Sequence, residues 1–290
     1  MSHRMLGKRL RHLASRAAAK EITRHFFQAL GIAWLILEVA AFAFPAAIDP
    51  IRGKAFWMIV TGGFLWSLGR SLPPLSYRKK FRASNVSIEI STGDLFTESS
   101  SIAFGCSECF DTESITVIGS KSLMAQLVRE HFRGNQTLLD DAIISSLSNQ
   151  NISGTLDPEK NFGKKIRFPI GTVAVIPAPH GKIFLVAFSR TKDDRTTVTS
   201  KEDLWASLCA LWAMFKKEGF MEPIAVPLFG AGLAGVPVSR VSLTQLLILS
   251  FIIASREMTV SRKLKLVINE GDYDPEEISE AIELLKTLDF

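Results

Sequence analysis

The sequence predicts an α/β protein in which an N-terminal two-helix transmembrane hairpin precedes a three-layer α/β/α domain. Three features predict this: two apolar segments near the N-terminus, a reversal of net charge after residue 82, and strands that alternate with helices from residue 86 onward. Residues 1–82 carry 14 basic and three acidic residues, whereas residues 83–290 carry 20 basic and 26 acidic residues, a net charge of −6. Because the larger part would repel phosphodiesters, nucleic acid is not an expected partner.

The amino-acid composition further limits the class of protein. Hydrophobic residues make up 47% of the 290 residues and charged residues 22%, which excludes a disordered chain. Three cysteines are too few for a disulfide scaffold, so a reducing compartment is expected.

Residues 1–25 are predicted to form a basic amphipathic helix. Leu6, Leu10, Leu13 and Ala17 share one helical face, opposite a basic face, which is typical of a helix that lies on anionic lipid. The same Arg-rich and acid-poor character also fits a mitochondrial presequence, which remains an alternative at this point.

Residues 26–75 are predicted to be a transmembrane hairpin with spans at about 26–48 and 55–75. The first segment contains Glu38 as its only charge, and both approach the ~20 residues that a spanning helix needs. Basic residues flank the hairpin on both sides, so the positive-inside rule predicts a multi-pass protein with both termini in the cytoplasm. A pair of buried helices in a soluble protein is the alternative.

Glu38 has two interpretations. A carboxylate in the middle of a membrane costs at least ~2.5 kcal/mol, so it should face a partner helix or water. It is therefore either a polar position used in an oligomer or pore, or a tolerated protonated residue in a slightly displaced span.

After a predicted junction at residues 76–85, the domain at 86–290 alternates between the sequence patterns of strands and of helices. Strands are predicted at 86–90, 101–105, 116–118, 173–176, 183–188, 224–228 and 264–268. Helices are predicted at 123–132, 138–147, 200–217 and 238–256, with a last helix that Asp274 caps and Pro275 begins.

The glycine-rich segment at 227–240 is the sharpest chemical signal. A buried strand runs into Gly230-Ala231-Gly232-Leu233-Ala234-Gly235, and a helix follows. Glycines let a ligand approach the backbone, and successive N–H groups beside a helix N-terminus bind anions. The position late in the chain argues against a Rossmann dinucleotide site, and the absence of a G-x-x-x-x-G-K-[ST] pattern excludes a P-loop. A tightly packed turn without a ligand is the alternative.

The cysteine pair and Asp111 are two further candidates for functional residues. Cys106 and Cys109 have C-x-x-C spacing, but no second cysteine pair or suitably spaced histidine accompanies them, so a metal site is not expected. Asp111 can be either a general base or a carboxylate that orients a ligand, and the orienting role is favoured because no histidine lies at a recognisable spacing.

Three motifs, in this order, resemble a macro domain, the ADP-ribose-binding α/β fold, over residues 84–290. They are Gly93-Asp94-Leu95, Gly171-Thr172-Val173 with the strand at 186–189, and the loop at 227–235. The resemblance implies that Asp94 holds the adenine amino group, assisted by the backbone N–H of Leu95. It also implies a pyrophosphate-binding loop made of Gly230, Ala231, Gly232, Leu233 and Ala234.

The first ligand loop departs from macro domains that hydrolyse ADP-ribose conjugates, which have an Asn-rich loop followed by a glycine run. Here residues 105–112 read GCSECFDT. The element Phe110-Asp111-Thr112, followed by residues 122–126, is similar to the macro domain of Thoeris antiphage effectors. Effectors of that family with two membrane helices before the macro domain match the whole architecture, and Phe110, Asp111 and Thr112 are therefore expected to contact the ligand.

This resemblance implies a non-enzymatic receptor in the bacterial inner membrane, without a cofactor or metal. A TIR-domain partner would make a histidine-ADP-ribose messenger from NAD, and the macro domain would bind it. The protein would then form a homo-oligomer in the lipid bilayer and disrupt it, causing abortive infection. Two alternatives stay open: a membrane-tethered hydrolase of ADP-ribose conjugates that uses Asp111, and a structural anchor with a degenerate pocket.

Overall fold

The computed structural model describes residues 3–48, 50, 52–81, 85–113, 119, 122–192, 196–232 and 235–288. The chain divides into two compact units, Met1–Pro74 with Asp274–Ser279 and Leu75–Tyr273 with Glu280–Phe290.

The first unit contains the N-terminal helices α1 (His3–His12), α2 (Arg16–Ala43), α3 (Pro45–Ile48) and α4 (Arg52–Arg70). Ser15 caps α2 by accepting a hydrogen bond from the backbone N–H of Ala18. Helix α2 therefore begins inside the segment predicted as a separate amphipathic helix at 1–25. It also ends at Ala43, before the predicted limit of residue 48, because Pro45 disfavours a helical conformation at the residue before it.

Helices α2 and α4 form an antiparallel hairpin. Ring contacts join His25 to Trp66 at 5.9 Å and Trp34 to Phe56 at 6.1 Å, so residue numbers rise along one helix as they fall along the other. Gly63 lies at this contact, where an added Cβ would meet the Cβ of Ala29 at 3.7 Å. The predicted helical hairpin is present.

One helix among the described residues, Ala18–Ala43, is long and apolar enough to cross a membrane. None of its most apolar window is buried, although a signal sequence can have the same length and composition. Helix α4 ends at Arg70, because Pro73 and Pro74 follow, so the helix stops before residue 75, the predicted limit of the second span. A second span and the orientation of the termini stay predictions.

The second unit is built on an eight-stranded sheet within the described residues. Strands β1–β3 are Ser76–Phe81, Val86–Thr92 and Ser101–Ser107; β6–β8 are Val173–Ala178, Gly181–Thr191 and Thr197–Val198; β9 and β10 are Ile224–Val226 and Lys263–Ile268. Their order is β1-β2-β10-β9-β3-β7-β6, with β8 paired to β7, while β4 (Thr155–Leu156) and β5 (Ile166–Arg167) form a separate hairpin.

The five strands β2, β10, β9, β3 and β7 are parallel neighbours, and β1 and β6 flank them antiparallel. Their carboxyl ends therefore meet at one edge of the sheet, where ligands of open α/β sheets bind.

Helices α5 (Leu123–Glu130), α6 (Gln136–Asn149), α7 (Lys201–Glu218), α8 (Arg240–Glu257) and α9 (Pro275–Thr287) complete the described elements. Side chains of β7 alternate between two cores: Leu185 packs in the cluster that holds α5 and α6, whereas the ring of Phe184 contacts Phe215 of α7 at 4.9 Å. Since the sheet has helices on both faces, the predicted three-layer α/β/α architecture is confirmed.

Strand β1 corrects the predicted junction at 76–85. Residues 76–81 pair with β2 in full antiparallel register, because the edge of the sheet can hold a charged strand whose Lys and Arg groups stay near solvent. Lys79 also donates a hydrogen bond to the carbonyl of Lys286 at 3.0 Å. The strand predicted at 116–118 lies outside the described residues.

Candidate functional site

A cavity of about 1170 Å³ opens at the carboxyl edge of the five parallel strands. Each strand contributes its last residues or the loop that follows it. The order along the edge is set by the sheet: Gly93–Leu95 after β2, Asn269 after β10, the loop at 227–232 after β9, the end of β3, and the end of β7. The described lining runs from Gly93 to Asp272, so the cavity combines segments that lie up to 179 residues apart in the chain.

At the β2 end, Asp94 caps a short 3₁₀ helix, Leu95–Thr97. Its Oδ1 accepts a hydrogen bond from the backbone N–H of Phe96 at 3.0 Å, while Oδ2 has no protein partner among the described residues. The backbone N–H of Leu95 is likewise without an acceptor there. One carboxylate oxygen and one backbone N–H therefore form a small polar recognition element beside the cavity.

In the middle of the cavity lies the loop after β9. Gly230 has φ +79°, and a Cβ there would come within 2.7 Å of Val236, so only glycine fits without strain. The backbone N–H of Gly232 has no acceptor among the described residues, and neither has that of Gly230. With Arg240 at the start of α8 also lining the cavity, these donors form a site for an anion.

Of the predicted loop residues, Gly230, Ala231 and Gly232 line the cavity, together with Asp94 and Leu95. Leu233 and Ala234 lie outside the described residues.

Asp111 lines the cavity, but its carboxylate is fully engaged. Lys160 Nζ lies 3.2 Å from Oδ1 and 3.1 Å from Oδ2, Ser107 Oγ donates to Oδ2 at 2.9 Å, and the backbone N–H of Lys164 donates to Oδ1 at 2.8 Å. The side chains of Asp111 and Lys160 are 1% and 3% exposed. A carboxylate paired in this way fixes the loop that carries it.

Phe110 and Thr112, which are expected to contact the ligand, are not among the described residues that line the cavity. Phe110 is 1% exposed, and its ring packs edge-to-face on the ring of Phe168 at a centroid distance of 5.6 Å. Thr112 Oγ1 donates to Asp140 Oδ1 at 2.8 Å. The loop is irregular, with Phe110 at φ +50°, and successive side chains lie on opposite sides of it. The side chains of Phe110 and Thr112 therefore point into the protein, whereas Asp111 lies at the cavity wall.

The cysteine pair is held in the thiol form. Burial raises the pKa of both Cys106 and Cys109, and the Sγ of Cys106 donates to the carbonyl of Val186 at 3.4 Å. Among the described residues, no group of three His, Cys, Asp or Glu side chains could hold a metal ion.

A β-bulge at the end of β7 was not predicted. The pairing of β3 with β7 shifts between Cys106 and Ser107, which leaves Phe188 as an extra residue of β7. The Phe188 ring lies over Gly105, where a Cβ would come within 2.3 Å of it, and contacts Phe229 edge-to-face at 5.8 Å. A glycine inside an otherwise apolar strand was the available signal for such a close approach.

Sequence reasoning also missed Lys160, which neutralises Asp111 from 49 positions away. No local pattern marks such a partner, because a lysine in a polar segment is ordinarily solvated.

Comparison with known proteins gives a family and a fold. Residues 88–269 match the family model described as the macro domain of the Thoeris protein ThsA. The Oceanobacillus iheyensis macrodomain with ADP is 16% identical and aligns over 73% of this chain and 96% of its own, with a TM-score of 0.50. A mutant of that macrodomain with ADPR is 14% identical over 73% of this chain and 100% of its own, with a TM-score of 0.51. No curated protein matches the sequence.

Proposed function

The chain belongs to the Thoeris ThsA macro-domain family, and on this premise we propose that it is a membrane-anchored receptor for an ADP-ribose-type messenger in antiphage defence. The observation that carries the proposal is a pair of backbone N–H groups, those of Gly230 and Gly232, which have no acceptor among the described residues and lie at a cavity large enough for a dinucleotide-sized ligand.

The pyrophosphate of the messenger lies at the glycine loop. Phosphate oxygens supply the acceptors that these N–H groups lack within the described part of the chain, and the adjacent N-terminus of α8 adds a favourable dipole. Gly232 leaves room for the phosphates, because a Cβ there would meet no atom of the described residues within 4 Å.

The adenine lies at the β2 end. The Oδ2 of Asp94, which has no partner among the residues that the structure describes, accepts from the exocyclic amino group, and the N–H of Leu95 donates to a ring nitrogen. This arrangement is supported by the order of the strands, which separates Asp94 from the glycine loop by the width of β10.

The receptor is non-enzymatic. The best candidate for a general base, Asp111, already forms an ion pair and accepts two further hydrogen bonds, from Ser107 Oγ and the backbone N–H of Lys164, so it has little capacity to activate water. The membrane-tethered hydrolase that uses Asp111 is the second candidate, and only its position at the cavity wall favours it.

The hairpin inserts α2 and α4 in the bacterial inner membrane with both termini in the cytoplasm. Large apolar side chains of α2 are turned outward, among them Phe27 at 63%, Ile32 at 65% and Phe42 at 92% exposure, which suits contact with lipid rather than water. A TIR-domain partner makes the messenger, whose histidine-linked form is the expected ligand. Binding promotes homo-oligomerisation, and clustered hairpins then disrupt the bilayer and cause abortive infection.

The decisive experiment is titration calorimetry of the full-length protein in detergent with ADP-ribose and histidine-ADP-ribose, followed by chromatography of each ligand after prolonged incubation. Binding with both ligands recovered unchanged supports the receptor. Release of free ADP-ribose from the conjugate establishes the hydrolase instead, and the absence of binding to either ligand overturns both.

A further inference from the structure

Helix α7 presents to solvent a face that plays no part in the cavity. Its inner side is held by the sheet, where Ser207 Oγ donates to the carbonyl of Ala187 in β7 at 3.2 Å. Between Asp203 and Lys216 the helix sequence contains no charged residue, although solvated helix faces are ordinarily polar. We refer to six exposed or partly exposed residues on the opposite side as the outer face of α7: Glu202, Trp205, Ala206, Cys209, Ala213 and Lys216.

The apolar surface extends onto helix α8. Trp212 Nε1 of α7 donates to Ser250 Oγ at 2.8 Å, and its ring packs on that of Phe251, so the two helices lie side by side. Ile253, one turn beyond Ser250, is 52% exposed, and Trp205 on α7 is 37% exposed. A single exposed apolar residue is ordinary, whereas two on adjacent helices beside an uncharged helix face form a surface of the kind through which proteins associate.

The charges at the two ends of the outer face indicate what covers it. Glu202 in the first turn lies seven residues before Cys209, and Lys216 in the last turn lies seven residues after it. Because seven residues make about two helical turns, the three side chains lie close to one line along the helix. A second copy of α7 that packs antiparallel, with a two-fold axis through Cys209, brings Glu202 of each copy opposite Lys216 of the other.

The same axis pairs a large side chain with a small one. Trp205 lies four residues before Cys209 and Ala213 lies four residues after it, so the indole of each copy covers Ala213 of the other. A parallel arrangement would instead place Glu202 beside Glu202 and Trp205 beside Trp205. Charge and size are therefore both self-complementary in the antiparallel arrangement.

A lipid surface fits the outer face less well. Helices that lie on anionic lipid carry basic residues along their polar side, whereas one end of this face is acidic. Asp203, next to Glu202, accepts from Arg190 at 3.0 Å and adds negative charge to the same end.

We propose that the outer face of α7 is the interface through which two copies of this chain associate, as an antiparallel two-fold pair with Cys209 at the axis. The inference rests on the proposed function and deepens it, because it names the surface through which copies assemble. One helix per copy buries little area, so the contact is weak alone and takes effect where membrane anchoring raises the local concentration. Copies therefore exchange, and the Cys209 thiol stays reactive in dilute protein.

The test is cross-linking of the full-length protein in liposomes by a short bis-maleimide, with and without histidine-ADP-ribose. Of the three cysteines in the chain, Cys106 and Cys109 are buried, so a covalent dimer reports on Cys209. Mass spectrometry of the cross-linked peptides identifies the residue. Calorimetry with the same ligand, on the same preparation in detergent, measures the cavity separately.

Trp205→Glu should reduce the cross-linked fraction about tenfold or more, because it places a charge at the centre of the contact. Glu202→Lys and Lys216→Glu should each reduce it about threefold or more, and the two combined should restore it, because the exchange re-forms opposite charges across the axis. Ile144→Glu is the matched control and should change nothing. Ile144 is 60% exposed on α6, which packs on the other face of the sheet.

The absence of a Cys209 cross-link in every condition overturns the interface, as does a cross-linked fraction that Trp205→Glu leaves unchanged. Failure of the combined charge variant to recover contradicts the antiparallel arrangement, and these surface substitutions keep the test valid if Trp205→Glu fails to fold by circular dichroism. Ligand binding that persists in any of these cases leaves the receptor in place. Cross-linking at Cys209 in a protein that binds neither ADP-ribose nor histidine-ADP-ribose overturns the proposed function and leaves the interface.

Discussion

Lys160 Nζ lies 3.1 Å from Asp111 Oδ2, and the two side chains are 3% and 1% exposed. This buried ion pair joins the loop after β3 to the loop between β4 and β5. Lys160 also donates to the carbonyl of Lys164 at 2.7 Å, and Lys164 in turn donates to the carbonyl of Phe110 at 2.7 Å. The geometry of the cavity beside β3 is therefore fixed by a segment about 50 residues further along the chain.

Replacement of Lys160 with methionine should destabilise the domain strongly. The variant leaves the Asp111 carboxylate buried without its counter-charge, which typically costs about 3–5 kcal/mol, whereas Lys160→Met combined with Asp111→Asn should cost clearly less. Denaturant unfolding followed by circular dichroism measures both. If the single and double variants lose the same stability, the ion pair is not the reason for the loss.

Gly232→Glu should abolish binding of ADP-ribose with the fold intact. Its side chain would enter open space at the cavity and oppose the phosphates in volume and charge. Gly232→Ala should be mild, and Gly235→Glu is the positional control, because a Cβ at Gly235 also meets no described atom within 4 Å and Gly235 is not among the described residues that line the cavity. Calorimetric affinity that stays unchanged in Gly232→Glu would remove this loop from the site.

Asp94→Ala should weaken ADP-ribose binding by about 1.5–3 kcal/mol, as expected when a hydrogen bond to a charged group is lost. Because Asp94 also caps the 3₁₀ helix Leu95–Thr97, Asp94→Asn is the informative companion. Asparagine keeps the cap and removes the charge, so it should bind weakly at normal thermal stability. Unfolding of both variants would mark Asp94 as structural.

The thiols of Cys106 and Cys109 should resist alkylation near pH 8. Burial raises the pKa of each, so the reactive thiolate is scarce until the pH rises well above the ordinary range for cysteine. Cys209 is exposed and should react first, although its own pKa is raised by partial burial. Mass spectrometry after iodoacetamide treatment should find one modified cysteine in the native protein and three after denaturation. Fast labelling of Cys106 would contradict its placement.

Full-length protein in dye-loaded liposomes should leak only when the messenger is added, and the messenger should shift the protein to a larger species on sizing. Both expectations follow because a ligand changes an assembly only if one state binds it better. Removal of residues 1–74 should end leakage and preserve binding, since this cut keeps β1 in the sheet. Leakage without messenger at equal protein density would contradict a ligand-controlled switch.

The parts of this protein that the sequence predicted correctly are those with local physical causes. Ser200 was expected to begin a helix because a hydroxyl can satisfy a free N–H three residues on, and it accepts from the N–H of Asp203 at 2.9 Å. Pro275 begins α9 for a similarly local reason, its fixed φ. The glycine loop was visible because only glycine tolerates the φ of +79° at Gly230. The apolar composition of α2 was equally plain.

The tertiary structure decided the contacts between residues that are remote in sequence. Strand β1 reads as a basic junction until β2 supplies its hydrogen-bond partners, and Phe188 becomes part of the cavity only because the register of β3 and β7 slips by one residue. Asp111 reads as an isolated carboxylate in the sequence, and only the fold brings Lys160 beside it. Strand partners, strand register and counter-charges are set by contacts between residues that are distant in the sequence. The energies of these contacts depend on which groups are buried together. The sequence alone therefore determined the secondary-structure elements, and the fold determined the chemistry of the site.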